Sequence, residues 1–348
     1  MGQTDLASNS LTSHPDVFAD IINAIIYQGH TVLKAENLKP FYVNSTVTKN
    51  GRLKGLYRDN CMEDIRDGVR YVIWGLENQY VPDRTTPFKV MGYNYTAYDR
   101  QIEEFTAYNK EHDINTYVAQ LLPAQKVKPV ITLVLYYGRE EIPDSICSMM
   151  DIPENMAVRK YIQDYKLNLI KLRNLSKEQA DLFQSDFQYI AKFLSPGYNK
   201  KELSKELRTS SQILTHTKDT LFTLSAITGD QRYLTARKSY KEESAVCEVA
   251  ETLFQMGVEE TKKELEKQHK KELIQNKKEL EKNKKELEKK HKKELLQNKK
   301  ELEKQHKKEL EKKEIDLALA QSTITQKDSE IEQLRAEIER LKQAQASL

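Results

Sequence analysis

Three residues in the first quarter of the chain have the types and spacing for metal-assisted chemistry: Asp59, Glu77 and Gln79, in the pattern D-x17-E-x-Q. Glu77 and Gln79 close the run Tyr71-Val-Ile-Trp-Gly-Leu76, whose apolar, β-branched and aromatic content reads as a strand buried on both faces. Two residues apart on a strand, they share a face, and Asn78 takes the other. Polar groups are costly to bury unless paired or used. Two acids at the ends of neighbouring strands can share one divalent cation, and Mg²⁺ takes oxygen ligands while keeping waters that can act as nucleophile. The spacing alone leaves a plainer reading open, with Asp59 pairing to Arg58 or Arg70 and Glu77 satisfied by backbone.

The elements that would position this trio can be read in order. Residues 1–15 are polar and Ser/Thr-rich, a flexible N-terminus. Asp16 to Gln28 carries Val17, Phe18, Ile21, Ile22, Ile25 and Ile26 at helical spacing, with Pro15 at its start and Gly29 at its stop. Leu38 to Val47 reads as a first strand, Asn50-Gly51 as a hairpin turn, and Leu53 to Asn60 as a return strand bringing Asp59 to its end. Met62 to Gly68 is charged and turn-like. A helix follows from Pro87, and Val130 to Tyr137 is the most strand-like segment of the chain. Helix, three strands, helix and strand make an α/β core with a mixed sheet. Residues 148–258 read as helical and loop-rich, without a Gly-rich phosphate loop, HExxH or GxSxG.

Composition narrows the classes. Net charge is +3 over 348 residues. The segment 261–313 holds 21 Lys and 12 Glu, a local +9 that leaves −6 for the rest. The body is therefore not a basic surface built to bind nucleic acid by charge alone. Cys61, Cys147 and Cys247 form no CxxC, which disfavours a structural zinc site and a disulfide framework and suits a reducing cytoplasm. No signal-peptide pattern and no long apolar run point to a membrane.

Segment 261–313 repeats Lys-Lys-Glu-Leu, with leucines at 265, 273, 280, 287, 295, 302 and 310 and many Glu-to-Lys pairs four apart. Such pairs support a solvated helix by ~0.2–0.5 kcal/mol each. In 314–348, Leu317, Ile324, Ile331 and Ile338 recur every seven residues, with Leu334, Leu341 and Leu348 three or ten residues after members of that row. Ile at a with Leu at d favours a parallel two-stranded coil and predicts a homodimer, Lys327 interrupting the d row.

Phe18-Ala-Asp20-Ile-Ile-Asn23, Tyr57-Arg58-Asp59, Gly75-Leu-Glu77-Asn78-Gln79, Pro87, Met91, Tyr98-Asp99-Arg-Gln101, Pro129 to Gly138 and Asp164-Tyr-Lys-Leu-Asn168 together resemble the recombination-promoting nuclease and transposase (YhgA-like) family, a divergent branch of the PD-(D/E)XK nucleases. The likeness covers about residues 16 to 258. It implies a restriction-endonuclease-like core over 16–147 and Mg²⁺-dependent cleavage of DNA phosphodiesters in recombination or element mobility. Asp59 and Glu77 would hold the metal. Gln79 stands where the wider superfamily has Lys, Asp20 would be an auxiliary acid, and Gln101 a contact from the second helix. A neutral amide can orient water but supplies no positive charge to a developing anion, so Lys89 or Arg58 would have to serve. The rival reading is a catalytically degenerate DNA-binding or assembly protein on the same fold, and a third is a scaffold whose Lys/Glu helix engages acidic partners. Removing residues 314–348 is expected to convert a dimer to a monomer in sedimentation equilibrium. A dimer of unchanged stability would exclude that segment as its source.

Overall fold

A strand buried on both faces needs a layer on each side, and the chain supplies both. The computed structural model describes residues 3–41, 45–49, 52–56, 60–114, 121–153 and 155–345. It divides into two units, Met1–Glu260 and Thr261–Leu348. The elements are α1 (Gln3–Thr12), α2 (Pro15–Ile26), β1 (Leu38–Pro40), β2 (Ser45–Lys49), β3 (Arg52–Leu56), β4 (Asn60–Arg66), β5 (Val69–Gln79), α3 (Thr86–Glu111), β6 (Val130–Tyr136), β7 (Asn168–Lys171), α4 (Lys177–Ala180), α5 (Phe187–Leu194), α6 (Lys200–Arg208), β8 (Ile213–Leu214), α7 (Thr217–Thr228), α8 (Gln231–Ser239), β9 (Ser244–Ala245) and α9 (Val246–Gln345).

The main sheet has the order β1-β4-β5-β6-β7. β1 pairs with β4 and β4 with β5 in antiparallel fashion, while β5–β6 and β6–β7 pair in parallel. The result is the mixed α/β sheet expected from the sequence, with β5 at its centre. Alternation sends Trp74 and Leu76 of β5, with Leu133 and Leu135 of β6, into a large core with Phe18, Ile22 and Phe187. The opposite face packs on α3 through Ile73, Val130 and Ala97, then Val134, Val90 and Tyr93.

Several boundaries differ from the sequence reading. The antiparallel partner of β5 is Asn60–Arg66, which the charge density of 62–68 marked as a turn. Its charges are paired: Arg70 donates to Glu63 across the strands and to Glu104 of α3, and Arg66 to Asp64. The turn itself is only Asp67-Gly68, with φ of +48° and +75°, the two positive values a tight hairpin needs. The expected strand 38–47 splits into β1 and β2. β3 pairs with β2 in a separate two-stranded sheet, so Leu53–Asn60 is not the return strand of the main sheet. Asn50 and Gly51 lie outside the described residues, between the paired Lys49 and Arg52.

The N-terminus is also corrected. Residues 3–12 form α1, in which Ala7, Leu11 and Thr12 are fully buried. Ala7 and Leu11 are one helical turn apart, and a single apolar turn was too short a pattern to stand out. The region read as helical beyond 148 contributes β7 to the sheet, with Leu169 paired to Val134. The sheet therefore crosses the boundary expected at 147. Farther on, Gly229 closes α7 at φ +73°, and Asp230 caps α8, as the Gly-Asp turn suggests.

α9 is one continuous helix from Val246 to Gln345. No Gly or Pro follows Gly257, and Lys, Glu, Leu and Gln are good helix formers. Its leucines are exposed throughout Thr261–Leu341. No helix among the described residues is long and apolar enough to cross a membrane.

Asp20 yields a pH prediction. Burial pushes its carboxyl above the ordinary carboxylate range, and hydrogen bonds from Ser185 and Gln184 only partly pull it back. A raised folded-state pKa means the folded chain binds the proton more readily than the unfolded one. This contribution is complete below the unfolded value and disappears as pH rises through the folded one. Relative to Asp20→Asn, the wild-type melting temperature is expected to be highest at acid pH and to decline through that window. A wild-type advantage that grows with pH would reverse the assignment.

Candidate functional site

Glu77 and Gln79 occupy the C-terminal end of β5, opposite Val134 and Tyr136 of the parallel strand β6. Ligands of open α/β sheets collect at this edge, beyond the carboxyl ends of the parallel strands. Glu77 is buried at 7% exposure on the α3 face. Gln79 shares that face: its Nε2 donates to the Val81 carbonyl, and its Oε1 accepts from Thr86 Oγ1 at 3.5 Å. Asn78 points the other way, as the alternation requires. Its Nδ2 donates to Asn9 Oδ1 (3.0 Å) and Thr12 Oγ1 (2.9 Å), and its Oδ1 accepts from Tyr137 Oη (2.9 Å).

The remaining expected site residues lie elsewhere or beyond description. Asp59 and Arg58 are outside the described residues; Asp59 immediately precedes Asn60, which pairs with Leu76, the neighbour of Glu77. Asp20 belongs to α2, on the Trp74–Leu76 side of the sheet, so it and Glu77 are on opposite faces. Its carboxylate accepts from Gln184 N, Ser185 N and Ser185 Oγ, holding the turn before α5. Gln101 is at the far end of the strands: it donates to the Lys128 carbonyl at 3.1 Å and accepts from Lys128 N at 2.7 Å. Val130 pairs with Ile73, four residues from Glu77, or about 13 Å along the strand. Neither Asp20 nor Gln101 joins Glu77. Lys89 is held by Asp83 at 2.6 Å in the turn that starts α3. Burial would raise Asp83, but the bonds from Lys89 and Thr85 outweigh it and hold the carboxyl below the ordinary range.

Sequence reasoning missed a cation close to this edge, Arg173. Tyr137 N donates to the Gln79 carbonyl, and the Tyr137 carbonyl accepts from Arg173 Nε at 2.8 Å. One residue thus separates the Gln79 backbone from a guanidinium. Burial and the neighbouring Arg139 pull Arg173 below its ordinary value, and burial with Arg173 does the same to Lys200. Arg139 and Lys200 are thus each near enough to Arg173 to act on it, and neighbouring cations attract an anion, although Lys200 also donates to the Phe193 and Ser195 carbonyls. The overlooked signal was the polar–apolar alternation of Lys166-Leu-Asn-Leu169, a strand pattern that delivers Arg173 just past its end. A groove of about 790 Å³ lies along β7, lined by Arg84, Glu141, Lys171, Asn174 and Gln179 among others. Glu77 and Gln79 are not in its lining.

Among the described residues, no group of three or more His, Cys, Asp or Glu is placed to hold a metal ion. Glu77 offers a carboxylate and Gln79 an amide oxygen on one face, hard oxygen donors of the kind Mg²⁺ takes alongside water. No family model, curated protein or solved structure matches this chain.

Gln101 brackets the strand entrance rather than the carboxyl edge. Gln101→Ala, which leaves the Lys128 backbone groups without these partners, is expected to destabilise unit Met1–Glu260 by ~1–3 kcal/mol in urea denaturation. A change below a few tenths would show that Lys128 is satisfied without it.

Proposed function

We propose that the chain is a Mg²⁺-dependent DNA endonuclease on a restriction-endonuclease-like core, acting in recombination or mobile-element activity in the cytoplasm. One observation carries the reading. Glu77 and Gln79 share a face at the carboxyl edge of a central strand, beside β4, which begins one residue after Asp59. The element order supports it: α2, the antiparallel set β1-β4-β5, α3 and parallel β6 follow the expected helix, three-strand meander, helix and strand, with the β2–β3 hairpin inserted. The family resemblance points the same way.

In this reading Asp59 and Glu77 hold the cation. When bound, it supplies Lewis-acid polarisation of a phosphodiester and a water of lowered pKa. The chain's own residues do the rest. Gln79 Oε1, only loosely engaged by Thr86, orients a water by hydrogen bonding. Arg173 supplies the positive charge that an amide lacks, and with Arg139 and Lys200 it holds the phosphate backbone beside the edge. Two copies pair through residues 314–348.

A second reading, a degenerate DNA-binding or assembly protein, has its own observation: the Gln79 amide already serves the turn into α3. Plasmid nicking separates the two. Wild type with Mg²⁺ is expected to nick supercoiled DNA, with Asp59→Ala and Glu77→Ala reduced at least a hundredfold. Arg173→Ala is expected to weaken DNA retention and flatten its salt dependence by about one unit of slope. Equal nicking by wild type and both acid variants would retire the endonuclease reading. Metal-independent retention that still depends on Arg173 would favour the second.

A further inference from the structure

Within α9, two apolar stripes drift in opposite directions. At 3.6 residues per turn, a step of seven residues turns the stripe back by about 20°, and a step of eight advances it by about 80°. From Leu265 to Leu310 there are three steps of eight and three of seven, so Leu310 is about 180° round the helix from Leu265. No single partner helix can follow that stripe. From Leu317 to Ile338 every step is seven, the period of a left-handed coiled coil. All of these side chains are exposed on α9: Leu317 at 64%, Ile324 at 58%, Ile331 at 47% and Ile338 at 51%.

We propose that residues 314–342 of two copies of this chain pair as a parallel, in-register coil whose orientation is set by Glu330 with Arg335 and Glu337 with Lys342 across the seam. The proposal rests on the reading that this segment pairs two copies, and is independent of the nuclease chemistry. With Leu317, Ile324, Ile331 and Ile338 at a, the e positions are Gln321, Asp328, Arg335 and Lys342, and the g positions Asp316, Thr323, Glu330 and Glu337. In a parallel coil each g faces the e five residues later on the partner. That matches Glu330 to Arg335 and Glu337 to Lys342, each twice by symmetry. An antiparallel coil sets g against g, and this g row contains three acids and no base. Orientation follows from charge.

Register follows from Lys327 in the d row. In register, the two lysines share one layer, and their stems lie along the seam while the ammonium groups reach water. A one-heptad slip puts a lysine in two separate layers, opposite Ala320 and Leu334. The parallel arrangement brings both copies of the chain into the coil from the same end.

The full-length protein tests this. Wild type is expected to sediment as a dimer at micromolar concentration. Lys327→Cys, oxidised and digested, is expected to give the 327–327 disulfide peptide, whose mass distinguishes it from links to Cys61, Cys147 or Cys247. The pair Glu330→Lys and Glu337→Lys is expected to weaken self-association on the order of tenfold or more. Adding Arg335→Glu and Lys342→Glu to that chain restores it only in a parallel coil, because an antiparallel one would still oppose lysines at g. A wild-type monomer, a dimer without the 327–327 link, or a fourfold swap that stays weak would each overturn the proposal. None of these readouts involves DNA cleavage, so a failed nicking assay leaves this result standing.

Discussion

The fold depends on the burial of β5 on both faces through its C-terminal half. From Ile73 to Asn78 every residue is buried, so each side chain must find its partner in one of two packed layers. Apolar residues do so by contact, but Asn78 requires hydrogen bonds, and an unsatisfied buried amide would cost ~1–3 kcal/mol. The amide is met by Asn9, Thr12 and Tyr137, and Thr12 also accepts from Asn60 of β4. One small polar cluster therefore ties α1, β4, β5 and the end of β6 together. It also explains why residues 3–12 are helical in a segment with so little apolar surface. Their last turn carries the partners that make the Asn78 position tolerable.

On the other face, α3 works as a brace matched to the strands in length. Thr86 meets Gln79 at the carboxyl end, while Tyr98 and Gln101 hold Val130 and Lys128 at the amino end. Thr86 to Gln101 rises about 22 Å along a helix, and Val130 to Tyr136 spans about 20 Å of strand. The helix thus returns the chain to the start of β6, the crossover that parallel neighbours require. Between the two ends, Asn94 bonds Tyr165 and accepts from Thr132, which passes the restraint to β7 through Asn168. Gln79 and Gln101 are both glutamines on this face, yet they serve opposite ends of the same brace.

How far the sequence reveals this depends on the range of the interaction. Alternation is a local property, and it places Glu77 and Gln79 together and Asn78 apart without any tertiary knowledge. The α2 and β6 segments, rich in Ile, Val and Leu, are legible for the same reason. β4 was hidden because Glu63, Asp64 and Arg66 look like a solvated turn until Asp64 is seen to pair with Arg66, and Glu63 with Arg70, which Glu104 of α3 also holds. Asp20 and Gln101 were plausible site residues by type alone. Their partners, Ser185 and Lys128, are 165 and 27 residues away, and no local pattern announces them. Arg173 was lost with β7, whose four residues are too short to break an apparently helical region.

The long helix shows that similar composition can carry different geometry. Residues 261–313 and 314–345 are both helical and charged, and both repeat a large aliphatic residue about every two turns. In the first part the eight-residue repeats contain His269, His291 and His306, and the extra residue in each turns the leucine stripe away from a common seam. Isolated exposed leucines of this kind are ordinary on a helix surface, and the Lys/Glu pairs stabilise the helix without a partner. In the second part no extra residue intrudes, the heptad is kept, and a d row joins the a row. Only there does the apolar surface stay on one side long enough for a second helix to cover it. A wandering stripe and a straight one are thus separated along one helix by a single extra residue in three of the six leucine steps.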